Sequence, residues 1–201
     1  MNTINLHTYI PQTRTLGPFL RFALWVQACP FRCTNCMTPA AQTESGGTLV
    51  PISELADKII NTPSIEGLTI TGGEPFAQSA ALVQLIKQVR LTKDLGIIVY
   101  SGYTLKKLQV LPYAVELLQH IDLLIDGTYV AALNDGGSLR GSSNQQVHTF
   151  FIPSMLNFVK PRERLSCTRC LTCVTRLKKD LKLTRVIYHP VNNSLGLRCD
   201  Q

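Results

Sequence analysis

Gly67-Leu68-Thr69-Ile70-Thr71-Gly72-Gly73-Glu74-Pro75 is the stretch on which the reading of this chain turns. After the leading glycine its residues are apolar or β-branched, the composition of a short buried strand. The strand then stops at two glycines and a proline, which mark a sharp exit. Upstream, residues 19–26 read as another strand, ending at a cysteine-rich loop. Downstream, Leu82, Leu85, Ile86 and Val89 recur at helical spacing over 78–91, and residues 95–100 form an apolar strand. Helical pieces over 53–61 (capped by Ser53), 104–111 and 113–120, and a strand over 121–125, complete the pattern. Such alternation predicts an α/β fold with a mostly parallel sheet covered by helices. In these sheets the chemistry gathers beyond the carboxyl ends of the strands, where both the cysteine loop and Gly72-Gly73-Glu74-Pro75 fall.

The chain has 201 residues, 45% hydrophobic and 16% charged, which fits one domain plus an appendage and excludes a disordered chain. No run approaches the roughly 18 apolar residues that cross a bilayer. The apolar segment 19–28 is interrupted by Arg21 and has no basic leader. The expectation is therefore a cytoplasmic protein with no membrane partner. Seven cysteines in that compartment indicate metal or redox chemistry rather than a disulfide framework. The net charge of +7 is unevenly spread: residues 1–154 hold ten basic and ten acidic side chains, and 155–201 hold ten basic against Glu163, Asp180 and Asp200. That break predicts a core domain over 1–154 and a basic, Cys-rich extension over 155–201. The excess fits a solvated tail, a docking face for something anionic, or compensation of clustered thiolates.

Cys29-Pro-Phe-Arg-Cys33-Thr-Asn-Cys36 places three thiols on one loop. Three thiolates can hold three irons of a [4Fe-4S] cube, where clusters that only carry electrons have four. The iron left over is open to an exogenous ligand, the mark of a catalytic metal. The competing occupant is zinc, with His7 as a fourth ligand. In the second motif, two glycines permit close approach to the backbone, and Glu74 is an acceptor for an ammonium group.

The C-x3-C-x2-C loop followed by Gly72-Gly73-Glu74-Pro75 resembles the radical S-adenosylmethionine (SAM) superfamily. Further blocks are Tyr100-Ser101-Gly102-Tyr103, Leu124-Ile125-Asp126-Gly127-Thr128-Tyr129-Val130 and Leu139-Arg140-Gly141-Ser142-Ser143-Asn144-Gln145-Gln146-Val147-His148. In this order they resemble the activating proteins of anaerobic ribonucleoside-triphosphate reductase, over about residues 5–150. The resemblance implies an incomplete, partial TIM-like β/α barrel with a small metal-bound appendage. It implies a [4Fe-4S] cluster on Cys29, Cys33 and Cys36 whose open iron binds SAM. Reductive cleavage of SAM then yields a 5′-deoxyadenosyl radical, which makes a glycyl radical on a separate reductase subunit. SAM contacts map to Asn35, Met37, Gly72, Gly73 and Glu74, with Ser101, Asp126 and Arg140 as further SAM or partner contacts. The block 140–148 has a second reading, a loop that braces the sheet, with His148 structural. A reductant such as flavodoxin or ferredoxin is implied. The family's glycine before the first cysteine is Ala28 here, and its aromatic after the third is Met37.

The extension carries Cys167-Thr-Arg-Cys170-Leu-Thr-Cys173 and Cys199. This pattern is similar to bacterial ferredoxins and would close a second [4Fe-4S] cluster. A structural zinc on Cys167, Cys170, Cys173 and either Cys199 or His189 is the alternative. Two other functions fit parts of the sequence: a radical SAM enzyme acting on a peptide or small molecule, and an electron-transfer or nucleic-acid-binding module. The last rests on the basic tail alone, without an aromatic stacking surface.

Overall fold

The computed structural model describes residues 2–137, 139–150 and 185–187. The chain opens with β1 (Thr3–Thr13) and β2 (Arg21–Val26), passes through the cysteine loop, and continues with β3 (Thr48–Pro51) and α1 (Ile52–Asn61). Then follow β4 (Gly67–Gly72), α2 (Ser79–Arg90), β5 (Gly96–Ser101), α3 (Leu105–Leu108), α4 (Pro112–Leu118), β6 (Leu123–Asp126), β7 (Gln146–Phe150) and β8 (Arg185–Ile187). One mixed sheet runs in the order β3-β1-β2-β4-β5-β6-β7-β8. Its centre, β2-β4-β5-β6, is parallel, whereas β3-β1-β2 and β6-β7 are antiparallel.

The α/β class and the central parallel strands agree with expectation. The antiparallel flanks were not expected. In β1 only Ile4 and Leu6 are buried, so most of this eleven-residue strand shows no alternating apolar face. Ser53 is not the cap of α1: the helix begins at Ile52, with Pro51 in the cap position and no side-chain capping bond. Thr104 does cap α3, accepting from Lys107 N. The metal-bound appendage, with Cys167, Cys170, Cys173, His189 and Cys199, lies outside the described residues.

The two faces of the sheet differ. Phe22, Leu24 and Val26 of β2, Leu68 and Ile70 of β4, Ile97 and Val99 of β5 and Leu124 of β6 join one buried cluster with α1, α2 and α4. Ile98, Leu123, Ile125 and Val147 form a second, smaller cluster with Phe19, Tyr100 and Leu139. Because successive side chains point to opposite faces, Trp25, Thr71 and Tyr100 share the face that those helices leave open.

That same face carries a sealed cation at the amino ends of the strands. Arg21, fully buried, reaches from β2 beneath β4 to β5. It donates from Nε to Thr69 Oγ1 at 2.7 Å and from Nη2 to the carbonyls of Leu68 and Gly96. Burial pushes the guanidinium down to about 10, with Asp122, Tyr100 and Glu66 acting in the opposite sense. Gly67 provides the room: a Cβ there would lie 2.1 Å from Arg21 Nη1. Gly67→Ala must therefore push a hydrogen-bonded, buried guanidinium off its acceptors, and it is expected to destabilise the chain by about 3 kcal/mol. Urea unfolding of the variant checks this, and an unchanged midpoint would show that the guanidinium yields freely.

Candidate metal and substrate site

Cys29, Cys33 and Cys36 are free thiols of intermediate exposure on the segment that leaves β2. The segment closes on itself. Cys29 N donates to Gln42 O at 3.2 Å, Gln42 Nε2 to Cys33 O at 3.3 Å, and Cys36 N to Cys33 O at 3.3 Å. Cys36 Sγ accepts from Thr38 N at 3.4 Å. Burial pushes the Cys29 thiol up, and the nearby Glu74 and Cys33 charges push the same way.

Two glutamines that sequence reasoning passed over hold the segment's ends. Gln27, 1% exposed, donates from Nε2 to Ala40 O and Thr43 O at 3.0 and 2.8 Å. Its Oε1 lies 3.0 Å from His7 Nδ1. Gln78 accepts from Asn5 N and donates back to Asn5 O and to Gln27 O. Their only sequence signal is a polar side chain directly after an apolar strand and directly before a helix.

The Gly-Gly step packs against the root of this loop. Gly72 has φ +103°, and a Cβ there would sit 2.6 Å from the backbone N and O of Val26. A Cβ on Gly73 would sit 2.1 Å from the Ala28 carbonyl oxygen. Gly73 N donates to Val26 O at 2.7 Å and Glu74 N to Ala28 O at 2.8 Å. The glycines thus let one strand end press on another, and both also line the cavity described next.

An open cavity of about 490 Å³ lies at the carboxyl ends of β2, β4, β5 and β6. It is within the size range of small-molecule sites. All three cysteines line it, as do Met37, Gly72, Gly73, Ser101 and Arg140. Trp25, Phe31, Tyr100 and Tyr129 give it an aromatic side. Burial pushes the Tyr100 hydroxyl up to about 12, so it stays protonated.

Three of the expected contact residues stand elsewhere. Asn35 is exposed, with φ +56°, and is not part of the lining. Glu74 is fully buried behind the cavity wall. Its Oε1 accepts from Phe76 N at 3.0 Å and Ser101 Oγ at 2.9 Å, and its Oε2 accepts from Gly102 N at 2.8 Å. Asp126 accepts from Leu105 N, and its Oδ2 lies 3.1 Å from His148 Nε2 in a buried contact too poorly aligned for a hydrogen bond. Arg140 pairs with Asp135 at 2.6 Å.

The loop 140–145 does brace the sheet. Gln145 Oε1 accepts from Gly141 N and Ser142 N while its Nε2 donates to Gly127 O. Asn144 Nδ2 donates to Thr128 O at 2.8 Å. Arg140, Gly141 and Gln145 of this block also line the cavity.

The donor set can be tested against the occupants it suggests. Among the described residues no three His, Cys, Asp or Glu side chains converge on a point that one metal ion could fill. His7 faces Gln27. A single zinc on Cys29, Cys33, Cys36 and His7 thus finds no support. A four-iron cube takes each thiolate on a different iron, so it asks for a wider triangle of donors. Three free thiols on one loop, all lining one cavity, are the donor set such a cube takes.

Comparison with known proteins points the same way. A family model for a 4Fe-4S single cluster domain matches residues 15–148. The anaerobic ribonucleoside-triphosphate reductase-activating protein of Vibrio cholerae is 34% identical over 156 residues, covering 73% of this chain and 99% of that protein. The protein of the same name from Escherichia coli is 30% identical over 157 residues, 72% of this chain and 98% of its own. That of Enterobacteria phage T4 is 30% identical over 139 residues, 65% and 85% respectively.

The buried Glu74 makes a pH prediction. Burial raises its carboxyl to about 7 from 4.5, against the pull of its three donors. A raised acid contributes its stability below the unfolded pKa and loses it as pH rises through the folded one. Metal-free protein should therefore lose on the order of 3 kcal/mol at this site between pH 4.5 and 7.5. Glu74→Gln should flatten that slope; urea midpoints at both pH values, wild type against variant, measure it. Equal slopes would overturn the assignment.

Proposed function

This chain belongs to the family of anaerobic ribonucleoside-triphosphate reductase-activating proteins, and we propose on that premise that it is a radical SAM activase generating a glycyl radical on a separate anaerobic ribonucleotide reductase. The observation that carries this reading is the shared cavity: three free thiols of one loop and the strand-end residues of β4 and β5 face the same space. Cys29, Cys33 and Cys36 would hold the [4Fe-4S] cluster. When bound, the cluster supplies one electron at low potential and an open iron for the amino acid end of SAM.

The chain's own residues divide into contacts and supports. Met37, Gly72, Gly73, Ser101 and Arg140 line the cavity and are proposed to touch SAM. Asn35 would reach SAM from the exposed lip of the loop. Glu74 and Asp126 are proposed to act from behind the wall, by fixing Gly102 and Leu105. The aromatic side chains Trp25, Phe31, Tyr100 and Tyr129 are proposed to give the bound molecule an apolar wall. A partial barrel is the architecture that fits best, because the sheet order has two ends and the cavity lies on the face opposite α1 and α2.

The reductase is the proposed protein substrate, a flavodoxin or ferredoxin the proposed reductant, and the cytoplasm the proposed location. Among the described residues no helix is long and apolar enough to cross a membrane. The division at about residue 154 is supported by the family match ending at 148 and by relatives matched over 98–99% of their length against 72–73% of this chain. The extension is proposed to bind metal through Cys167, Cys170, Cys173 and Cys199.

Anaerobic reconstitution tests the reading. About four irons with one zinc per chain would make the extension a structural clasp, and about eight irons without zinc would make it a second cluster. Cys33→Ala should lose 5′-deoxyadenosine formation to background while keeping its far-ultraviolet spectrum; full activity in that variant would overturn the mechanism.

A further inference from the structure

We propose that Gly102 is the seat of the cysteine loop: the ring of Phe31, midway between Cys29 and Cys33, rests on its bare Cα, and this contact positions the thiols. A Cβ on Gly102 would lie 2.5 Å from Phe31 Cδ2 and 2.7 Å from Cε2. Gly102 is not among the glycines with positive φ. Its backbone is one that alanine adopts freely, so the missing side chain answers to Phe31 and not to a turn. Phe31 also meets Tyr103 edge-on, with ring centroids 4.7 Å apart at 76°. This is a favourable aromatic geometry.

The seat is rigid. Gly102 N and Ser101 Oγ both donate to the sealed Glu74 carboxylate, at 2.8 and 2.9 Å. Tyr103 N donates to Ser101 Oγ at 3.0 Å, and Tyr103 O accepts from Gly127 N at 3.0 Å. The seat is thus tied to β4 through Glu74 and to the end of β6 through Gly127. The hydrogen bonds of Cys29, Cys33 and Cys36 described above run within residues 29–42. Phe31 is what carries the loop onto β5. Gly102 and Phe31 are positioning residues, and Glu74 acts on the thiols through them.

The inference rests on the cysteine loop being the cluster site, and a metal-free readout separates the two. Peptide-level alkylation of Cys29, Cys33 and Cys36 in the metal-free full chain reports the order of the loop. Gly102→Ala should raise the labelling rate of Cys29 and Cys33 roughly tenfold, as expected for loss of a packed contact that restrains a loop. Iron retained after reconstitution should fall in parallel. Phe31→Leu should also label faster, and adding Gly102→Ala to it should change nothing further, because the colliding ring is gone. Wild-type labelling in Gly102→Ala, or independent multiplication of the two effects in the double variant, would overturn the proposal. If Gly102→Ala does not fold, Phe31→Ala alone decides: unchanged labelling overturns it. Failure of the wild type to take up iron would count against the activase reading and leave the thiol coupling standing on its own.

Discussion

The contact between the end of β4 and the end of β2 is the constraint on which the rest of the site depends. Two parallel strands run side by side in register from Arg21 opposite Gly67 to Val26 opposite Gly72. Beyond that point the chains would diverge, one into a loop of thiols and the other into a helix. Gly73 and Glu74 hold them together for two more residues by donating to Val26 O and Ala28 O. No side chain fits between, because any Cβ at 72 or 73 meets backbone. The thiol loop therefore leaves β2 at a point fixed by main-chain bonds on the neighbouring strand, and Cys29 inherits its position from a strand it does not belong to.

Buried charge sits at both ends of the same strands. At the amino end Arg21 binds carbonyls and a hydroxyl, and at the carboxyl end Glu74 binds two backbone N–H groups and a hydroxyl. In each case an ionisable group ties neighbouring strands or strand ends together through backbone groups and a hydroxyl. Removing one partner of such a set costs more than the bond is worth, because the remaining groups stay buried. A purely apolar plug would close the sheet equally well, but it would not fix the direction in which Ser101 and Gly102 face. That direction matters only where something must be placed against them.

Much of this was readable in advance, and the limits have physical causes. The four central strands announced themselves because both their faces are buried and their runs are apolar. The helices announced themselves through a spacing of three and four. β1 did not, since beyond Leu6 it faces solvent and carries Pro11. β7 escaped because its residues, Gln146-Val-His-Thr-Phe150, are buried through pairing with β6 and not through their own hydropathy. The cysteine triad and the Gly-Gly step were legible as motifs, and the structure brings both to one cavity. Gln27, Gln78 and the pairing of Phe31 with Gly102 were not, because their roles depend on which loops meet. Glu74 shows the boundary well. Its identity pointed to an ammonium ligand, while its burial and its three donors make it a support for the strand beside it.

Ala28 follows from the same constraint. The family pattern has glycine there, and the backbone at Ala28 does adopt φ +74°, where a Cβ is unfavourable by about 1–2 kcal/mol. An isolated loop would relax away from that conformation. Here it cannot, because the Ala28 carbonyl accepts from Glu74 N while the next residue donates from Cys29 N to Gln42 O. Both bonds would break if Ala28 turned to negative φ, and each is worth about 1 kcal/mol with the buried partner's desolvation added. The strain and the bonds are of similar size, which is why a methyl group is tolerated where glycine is usual. The cost of the methyl group therefore falls on stability while the two bonds that set the start of the thiol loop are kept, so a departure from the family pattern one residue before the proposed ligand Cys29 need not be a departure in chemistry.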